Sequence, residues 1–468
     1  NMKNYKKIYA AFILAGGLIL HGCNGIFDDL SINPNQPSMG AYFTSPSAVN
    51  DAVMTMYGYM STQRCLGASG SKTTIIRSDE ASSNSDYGKP GMFGADLNAS
   101  YYTIEQPYTL MYTTASQASY IIETAPSVDF SGNEELRNAY MGEAYFWRAF
   151  AHYYLLINFR NISPIRQMPR NGDDYVRPLE KPAAVWNFIQ EDLAHAKELL
   201  PVKGYWDSKN AGRVTKASAA ALLGKAYLYR SGIEQYYGED KTTFYSEAAK
   251  EFGDVIDGKY GTYDLTKNYA DNFDVAHENN EESILEFQFL GDVDNAGFNP
   301  GLATSGLAFD SRGLMLPGAG VGYEGVVHNW LVNSIDKDGY TDIRMFSTMI
   351  FNDLDASIHL RNDAGGNPVR LEGPGGYKWE ELYPAKNGKE GFATVSNPLA
   401  HSFKAGIRKG IDCSMPTQTE ADGTPKLVGV GAGVKEYVYN QPRAHGVNWR
   451  YIRYADVLMM YAEAVVSG

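Results

Sequence analysis

Gly142-Glu-Ala-Tyr-Phe-Trp-Arg-Ala-Phe150, continued by Tyr153-Tyr-Leu-Leu156, is the stretch that decides the fold. Within about Glu134 to Asn158 it sets Ala144, Trp147, Ala151, Tyr154 and Leu155 on one stripe, at the three- and four-residue spacing of an amphipathic helix. Trp147 and Tyr154 are therefore read as core, as are Tyr227 and Tyr461 on later stripes. Glu143 and Arg148 lie beside that interior, where a charge needs a partner because an unpaired one bears the full desolvation cost. Both are read as structural.

The neighbouring segments repeat the pattern. Val49, Ala52, Val53, Met56, Tyr57 and Met60 form a stripe opened by Ser45 and Pro46, a helix-start signal. A second helix is expected from about Gln106 to Thr124, and another from about Pro182 to Leu200 that buries Val185, Phe188, Ile189, Ala196 and Leu199 before Pro201 stops it. Thr215 is placed to cap a helix with the stripe Ala219, Leu222, Leu223 and Ala226, ending at Gly232. Phe244, Ala248, Phe252 and Val255 mark the returning helix. Near the chain end, Arg453 to Val466 carries the stripe Ala455, Leu458, Met459 and Ala462. Helix pairs near the ~34-residue length of tetratricopeptide repeats, with alanines at facing positions, give a mainly α fold of tetratricopeptide-like antiparallel helix pairs.

From about Gly291 to Gly446 the character changes, with glycine, proline, asparagine and aspartate scattered densely. This reads as a long loop-rich, irregular region with a few short strands, laid over the helical scaffold where binding residues tend to sit. At the other end, Lys3, Lys6 and Lys7 precede an uncharged apolar run from Ile8 to Leu20, shorter than the ~20 residues a helical span needs. This is an export leader. It ends in Leu20-His-Gly-Cys23, which resembles the bacterial lipobox, so Cys23 is expected to be acylated and to tether the protein to a membrane.

The chain has 468 residues and a formal charge of −13, which grows more negative once the three leader lysines are removed. Nucleic acid and anionic lipid surfaces are poor partners for such a charge. Tyrosine is abundant, 34 residues against 6 tryptophans, and offers a ring face with a hydroxyl, which suits wet, sugar-like ligands. Besides Cys23 only Cys65 and Cys413 remain, too few for a disulfide framework and wrongly spaced for zinc. Sequence leaves open whether those two pair.

These segments together resemble the SusD/RagB family of outer-membrane lipoproteins of Bacteroidetes-type bacteria. The resemblance rests on Gly142 to Leu156, on Gly212-Arg-Val-Thr-Lys216 with Ala219 to Tyr229, on Glu281-Glu-Ser-Ile-Leu-Glu-Phe287, Asp342-Ile-Arg344 and Ile407-Arg-Lys409, and on Trp449 to Ala464. It spans nearly the whole chain. It implies a leader over residues 1–22 and a single domain over 23–468, divided into a helical part (23–290), a loop-rich part (291–446) and the start of a C-terminal helical part (447–468). Family members continue with a further helical pair, and the chain begins Asn1-Met2, so the sequence is expected to be a fragment or truncated.

The resemblance further implies a non-catalytic, cell-surface protein of the outer membrane. It would capture oligosaccharides and act as a lid on a SusC-like TonB-dependent transporter; the alternative is a peptide binder of RagB type in the same role. The family's ligand surface maps to about Asp79–Tyr102 and Ala296–Trp330. Candidate contacts are Asp79, Asn84, Tyr87, Phe93 and Tyr101 in the first stretch and Tyr323 and Trp330 in the second. Trp206, and Trp379 with Tyr377, are further ring candidates of lower rank.

Enzyme readings are weaker. A glycosidase needs two carboxylates held about 5 Å or about 6.5–9.5 Å apart, which the acidic doublets Asp173-Asp174, Glu281-Glu282 and Glu380-Glu381 do not by themselves supply. Nucleophile-elbow, zinc-protease and phosphate-loop motifs are absent from the sequence, and Gly429-Val-Gly-Ala-Gly433 lacks the βαβ setting of a dinucleotide turn. A purely protein-binding helical-repeat scaffold would leave the loop aromatics unexplained. No cofactor is expected; structural calcium near Asp353 and Asp355 stays open, without an EF-hand-like spacing.

Overall fold

The structure is a computed structural model that describes residues 43–62, 64–66, 99–100, 102–168, 176–238, 241–273, 277–289 and 448–468, together with eight short strands within 81–437. Cys23 and the seven candidate contacts in the loops lie outside the described residues, as do Cys413, Asp353, Asp355, Tyr377 and Trp379.

Seven α-helices are described: α1 (Pro46–Ser61), α2 (Tyr102–Thr124), α3 (Glu134–Phe159), α4 (Pro182–Leu199), α5 (Lys216–Tyr237), α6 (Tyr245–Ile256) and α7 (Tyr454–Ser467). From α2 to α6 each packs against the next in the chain, and α7 closes on α6. Packing of each helix on its successor is the arrangement of antiparallel helix pairs. The fold is mainly α and tetratricopeptide-like, as the stripes predict.

Local chemistry sets the helix ends. The Ser45 hydroxyl accepts the Ala48 N–H ahead of Pro46, and the Asn133 side chain accepts the Leu136 N–H. Glu134 and Glu135 then add negative charge to the first turn of α3, where the helix dipole favours it. At α5 the Ser218 hydroxyl accepts the Thr215 N–H.

Helix α3 is the centre of the core. Sixteen of its residues are buried, among them Phe146, Trp147, Phe150, Tyr153 and Leu155. Each such large apolar side chain contributes about 1.5–3 kcal/mol when removed from water. Two glycines let neighbours approach α3 and α5. A Cβ on Gly142 would lie 2.9 Å from the Leu200 backbone nitrogen, and one on Gly224 would lie 2.7 Å from the Phe252 ring. The buried alanines Ala217, Ala219, Ala220 and Ala221 do the same work along α5.

Three boundaries or faces differ from the sequence reading. Helix α2 starts at Tyr102 rather than Gln106 and carries Pro107 inside it. Helix α5 runs through Gly232 to Tyr237 and ends at Gly238, whose φ of +69° supplies the left-handed cap that Gly232 was expected to give. In α7, Val457 and Ala464 are the buried residues, while Met459 and Tyr461 are 73% and 37% exposed. Of the expected stripe, Ala455 and Leu458 are half-buried and Met459 and Ala462 exposed, and Tyr461 is not core.

Ten strands complete the described residues: β1 (Ala81–Ser82), β2 (Ser283–Phe287), β3 (Val326–Val327), β4 (Asp336–Lys337), β5 (Tyr340–Thr341), β6 (Met349–Phe351), β7 (Ala405–Ile407), β8 (Leu427–Val430), β9 (Val434–Tyr437) and β10 (Trp449–Arg453). β2 and β10 pair antiparallel, Phe287 opposite Trp449 and Ser283 opposite Arg453. Phe287 reaches the α3 core, 5.9 Å from the Trp147 ring and 5.7 Å from Phe150. This pairing ties both ends of the loop-rich span to the helices. β8 and β9 form a hairpin around Gly429 to Gly433, which accounts for that glycine cluster without a nucleotide.

Candidate functional site

The candidate site named from sequence maps to a junction of short strands. One sheet has the order β1-β3-β7-β6, every pairing antiparallel. In it Ala81 stands opposite Val327, and Ser82 opposite Val326. β1 comes from the first stretch named from sequence and β3 from the second, so segments about 245 residues apart are joined by backbone pairing. Along the chain Asp79 precedes β1 by two residues and Asn84 follows it by two; Tyr323 precedes β3 by three and Trp330 follows it by three.

The ionisable groups of the helical scaffold are engaged in holding it together. Glu143 accepts from Arg213 Nε at 2.9 Å, from its Nη2 at 2.5 Å, and from the Tyr57 hydroxyl at 2.6 Å. Arg213 also reaches Asn50 at 2.8 Å, so one buried pair joins α1, α3 and the turn before α5. Burial raises the Glu143 carboxyl, whereas its hydrogen bonds and charge hold Arg213 up against desolvation. The two-point geometry favours the ionised pair. Trp206 belongs to this assembly: its ring lies 4.2 Å from the Arg213 guanidinium and its Nε1 donates to the Val214 carbonyl. It is a structural residue, not an exposed ligand platform.

Arg148 makes a second two-point pair with Asp192, both contacts at 2.7 Å, between α3 and α4. His152 is fully buried beside it. Its Nδ1 lies 2.8 Å from the Arg148 carbonyl and its Nε2 accepts the Ile165 N–H at 2.9 Å, which fixes the neutral tautomer protonated on Nδ1. Burial lowers its pKa to about 3. Such a histidine positions backbone and has no proton to trade at neutral pH.

Glu282, from one of the acidic doublets, accepts from Thr266, Asn272 and Arg453. Burial would raise it, but those donors outweigh burial and hold it below the ordinary carboxylate value. Its neighbour Glu281 is exposed. Trp147 and Tyr154 are buried as expected, and Tyr227 is half-buried against Phe244. Cys65 is a free, buried thiol, pushed up by burial to about 12. Among the described residues no group of three or more His, Cys, Asp or Glu forms a cation site, and no helix is long and apolar enough to cross a membrane.

Known proteins resemble this chain in sequence and fold. The model of a SusD-like family described as "Starch-binding associating with outer membrane" matches residues 29–228, from before α1 into α5. A SusD-like protein of Bacteroides ovatus is 25% identical over 293 residues, covering 62% of this chain and 51% of that protein. The chain is similar to SusD-like proteins in sequence and has a SusD-like fold. It spans about half the length of the Bacteroides ovatus relative. The SusD-like fold extends beyond the sequence match. A SusD homologue of Bacteroides thetaiotaomicron superposes with a TM-score of 0.64 at 18% identity, over 91% of this chain and 75% of that one. A laminarin-binding SusD-like protein gives 0.58 at 20% identity, over 90% and 81%.

Two tyrosines that sequence reading passed over stand out on this SusD-like scaffold. Tyr236 and Tyr237 end α5 and are 83% and 56% exposed. Their adjacency in a helical stretch rich in tyrosine gave no signal, because exposure there depends on where α5 outruns its neighbours.

Proposed function

We propose that this protein captures oligosaccharides at the outer face of the outer membrane and passes them to a SusC-like TonB-dependent transporter without cutting them. The observation that carries this reading is the β1–β3 pairing, which draws together the two ring-rich segments named for ligand contact. The loop residues assigned are Asp79, Asn84, Tyr87, Phe93 and Tyr101 in the sequence stretch that contains β1, with Tyr323 and Trp330 in the stretch that contains β3. Ring faces stack on the CH faces of sugars, and amide or carboxylate groups fix hydroxyls, which suits weak-to-moderate capture and release. Laminarin binding by a protein of the same fold supports a glycan rather than a peptide ligand. Full engagement of Glu143, Asp192 and Glu282 in structural pairs supports a non-catalytic role for the scaffold.

Cys23 is the proposed lipid anchor, the first residue of a single 23–468 domain that follows a 1–22 leader. Tethering keeps capture close to the transporter, where a high effective concentration replaces tight affinity. The test is a glycan array and a peptide array probed with the full chain. Glycan binding abolished by joint Tyr87→Ala and Trp330→Ala is the expected result. Binding confined to peptides, or unchanged in the double variant, overturns the ligand class or the site respectively.

A further inference from the structure

The C-terminal end of α3 carries a strained turn whose purpose the fold alone does not explain. Arg160 has φ +58° and ψ −64°, and the Asn161 N–H bonds back to the Phe159 carbonyl at 2.7 Å. That is a γ-turn with a positive-φ central residue, a rare and strained conformation for a non-glycine residue. Strain of this kind persists only where the surroundings enforce it, and here they do. Arg160 donates from both terminal nitrogens to Glu234, at 3.0 and 2.7 Å, and the Glu234 side chain is 1% exposed. Trp186 Nε1 donates to the same carboxylate at 2.8 Å.

Held this way, the Arg160 guanidinium lies 4.0 Å from the centroid of the Tyr237 ring. Tyr236 stands against Tyr237 with ring centroids 5.2 Å apart and planes at 88°. A buried carboxylate thus fixes a guanidinium, which braces one exposed ring, which in turn meets a second. Preorganised surface rings are costly to leave in water and lose little freedom on binding, the properties of a ligand platform.

We propose that Tyr236 and Tyr237, braced by Arg160, form a second contact for neutral pyranose rings, separate from the loop residues at the β1–β3 junction. The proposal rests on the glycan-capture reading and adds a site to it. Perpendicular rings offer a corner in which a sugar sets a CH face against one ring while a phenol hydroxyl meets its own hydroxyls. Glu234 neutralises Arg160, so the bracing guanidinium offers no net positive charge to recruit an acidic sugar. A glycan long enough to touch both places would gain from the second contact without tight binding at either.

The test is calorimetric titration of the full chain with laminarin and starch oligosaccharides, with oligogalacturonate as the charged comparison. Tyr236→Ala with Tyr237→Ala weakens binding about tenfold, whereas Tyr237→Phe, which keeps the ring, stays within about twofold. The melting temperature of both variants matches the wild type, since the altered side chains are exposed. Unchanged affinity in the double alanine variant overturns the platform and leaves the loop surface standing. Unchanged affinity in Tyr87→Ala with Trp330→Ala, alongside a loss in the α5 variant, removes the loop assignment alone. Absence of binding by the wild type overturns both. Tighter binding of oligogalacturonate through these tyrosines overturns the neutral-sugar assignment.

Discussion

The helical scaffold and the β1-β3-β7-β6 junction are built by different physics. In the scaffold, α3 is buried along most of its length and is joined to distant helices by two-point ion pairs such as Glu143–Arg213, 70 residues apart in the chain. At the junction, strands of two or three residues meet through backbone pairing. Backbone ladders place few demands on side chains, whereas a packed interior specifies nearly every one. The segments proposed to face the ligand can therefore vary while the helical frame stays fixed. A fold shared with the SusD homologue of Bacteroides thetaiotaomicron at 18% identity fits that division.

The contrast is tested most severely at the buried pair. Arg213→Ala leaves the Glu143 carboxylate and the Tyr57 hydroxyl without their cation, and is expected to destabilise by about 3–5 kcal/mol in urea unfolding. A loss under about 1 kcal/mol would mean that the pair does not hold α1, α3 and α5 together. Next comes close packing: Gly224→Ala drives a methyl to 2.7 Å from the Phe252 ring, with an expected loss of about 1–3 kcal/mol by the same measurement.

Acid should act on the scaffold through His152. Its folded pKa is about 3 against an ordinary 6.5, so the unfolded chain takes up the proton first as pH falls. Its stabilising contribution is complete above pH 6.5 and is lost progressively toward pH 3. Urea midpoints measured across that window should fall more steeply for the wild type than for His152→Gln; parallel curves would contradict the assignment. The smallest stability effect is expected at the junction. Tyr87→Ala with Trp330→Ala should leave unfolding within about 0.5 kcal/mol of the wild type, although it removes ligand affinity. A large loss there would show that these rings are packing residues.

Periodicity made the scaffold legible. The stripe through Trp147, the Ser45-Pro46 start and the stop at Pro201 all stand as read, because each is a local rule acting over a few residues. The errors arose where local signals competed with packing. Gly232 is accommodated inside α5, Pro107 inside α2, and α7 turns Val457 inward in place of Leu458 and Met459. Sequence indicated that Glu143 and Arg148 needed partners, but it could not name Arg213 or Asp192, since pairing across helices is a property of the assembled fold. For the candidate site, residue types marked the two ring-rich segments, while their pairing through β1 and β3 emerges only from the sheet. The braced Tyr236–Tyr237 corner was illegible for the same reason.

The proposed role is capture of a glycan without hydrolysis. Its most direct test is to titrate the full chain with laminarin oligosaccharides by calorimetry and assay the same samples for new reducing ends over several hours. Saturable heat, no increase in reducing ends, and loss of that heat in Tyr87→Ala with Trp330→Ala are the expected results. Steady release of reducing ends by the wild type would contradict it.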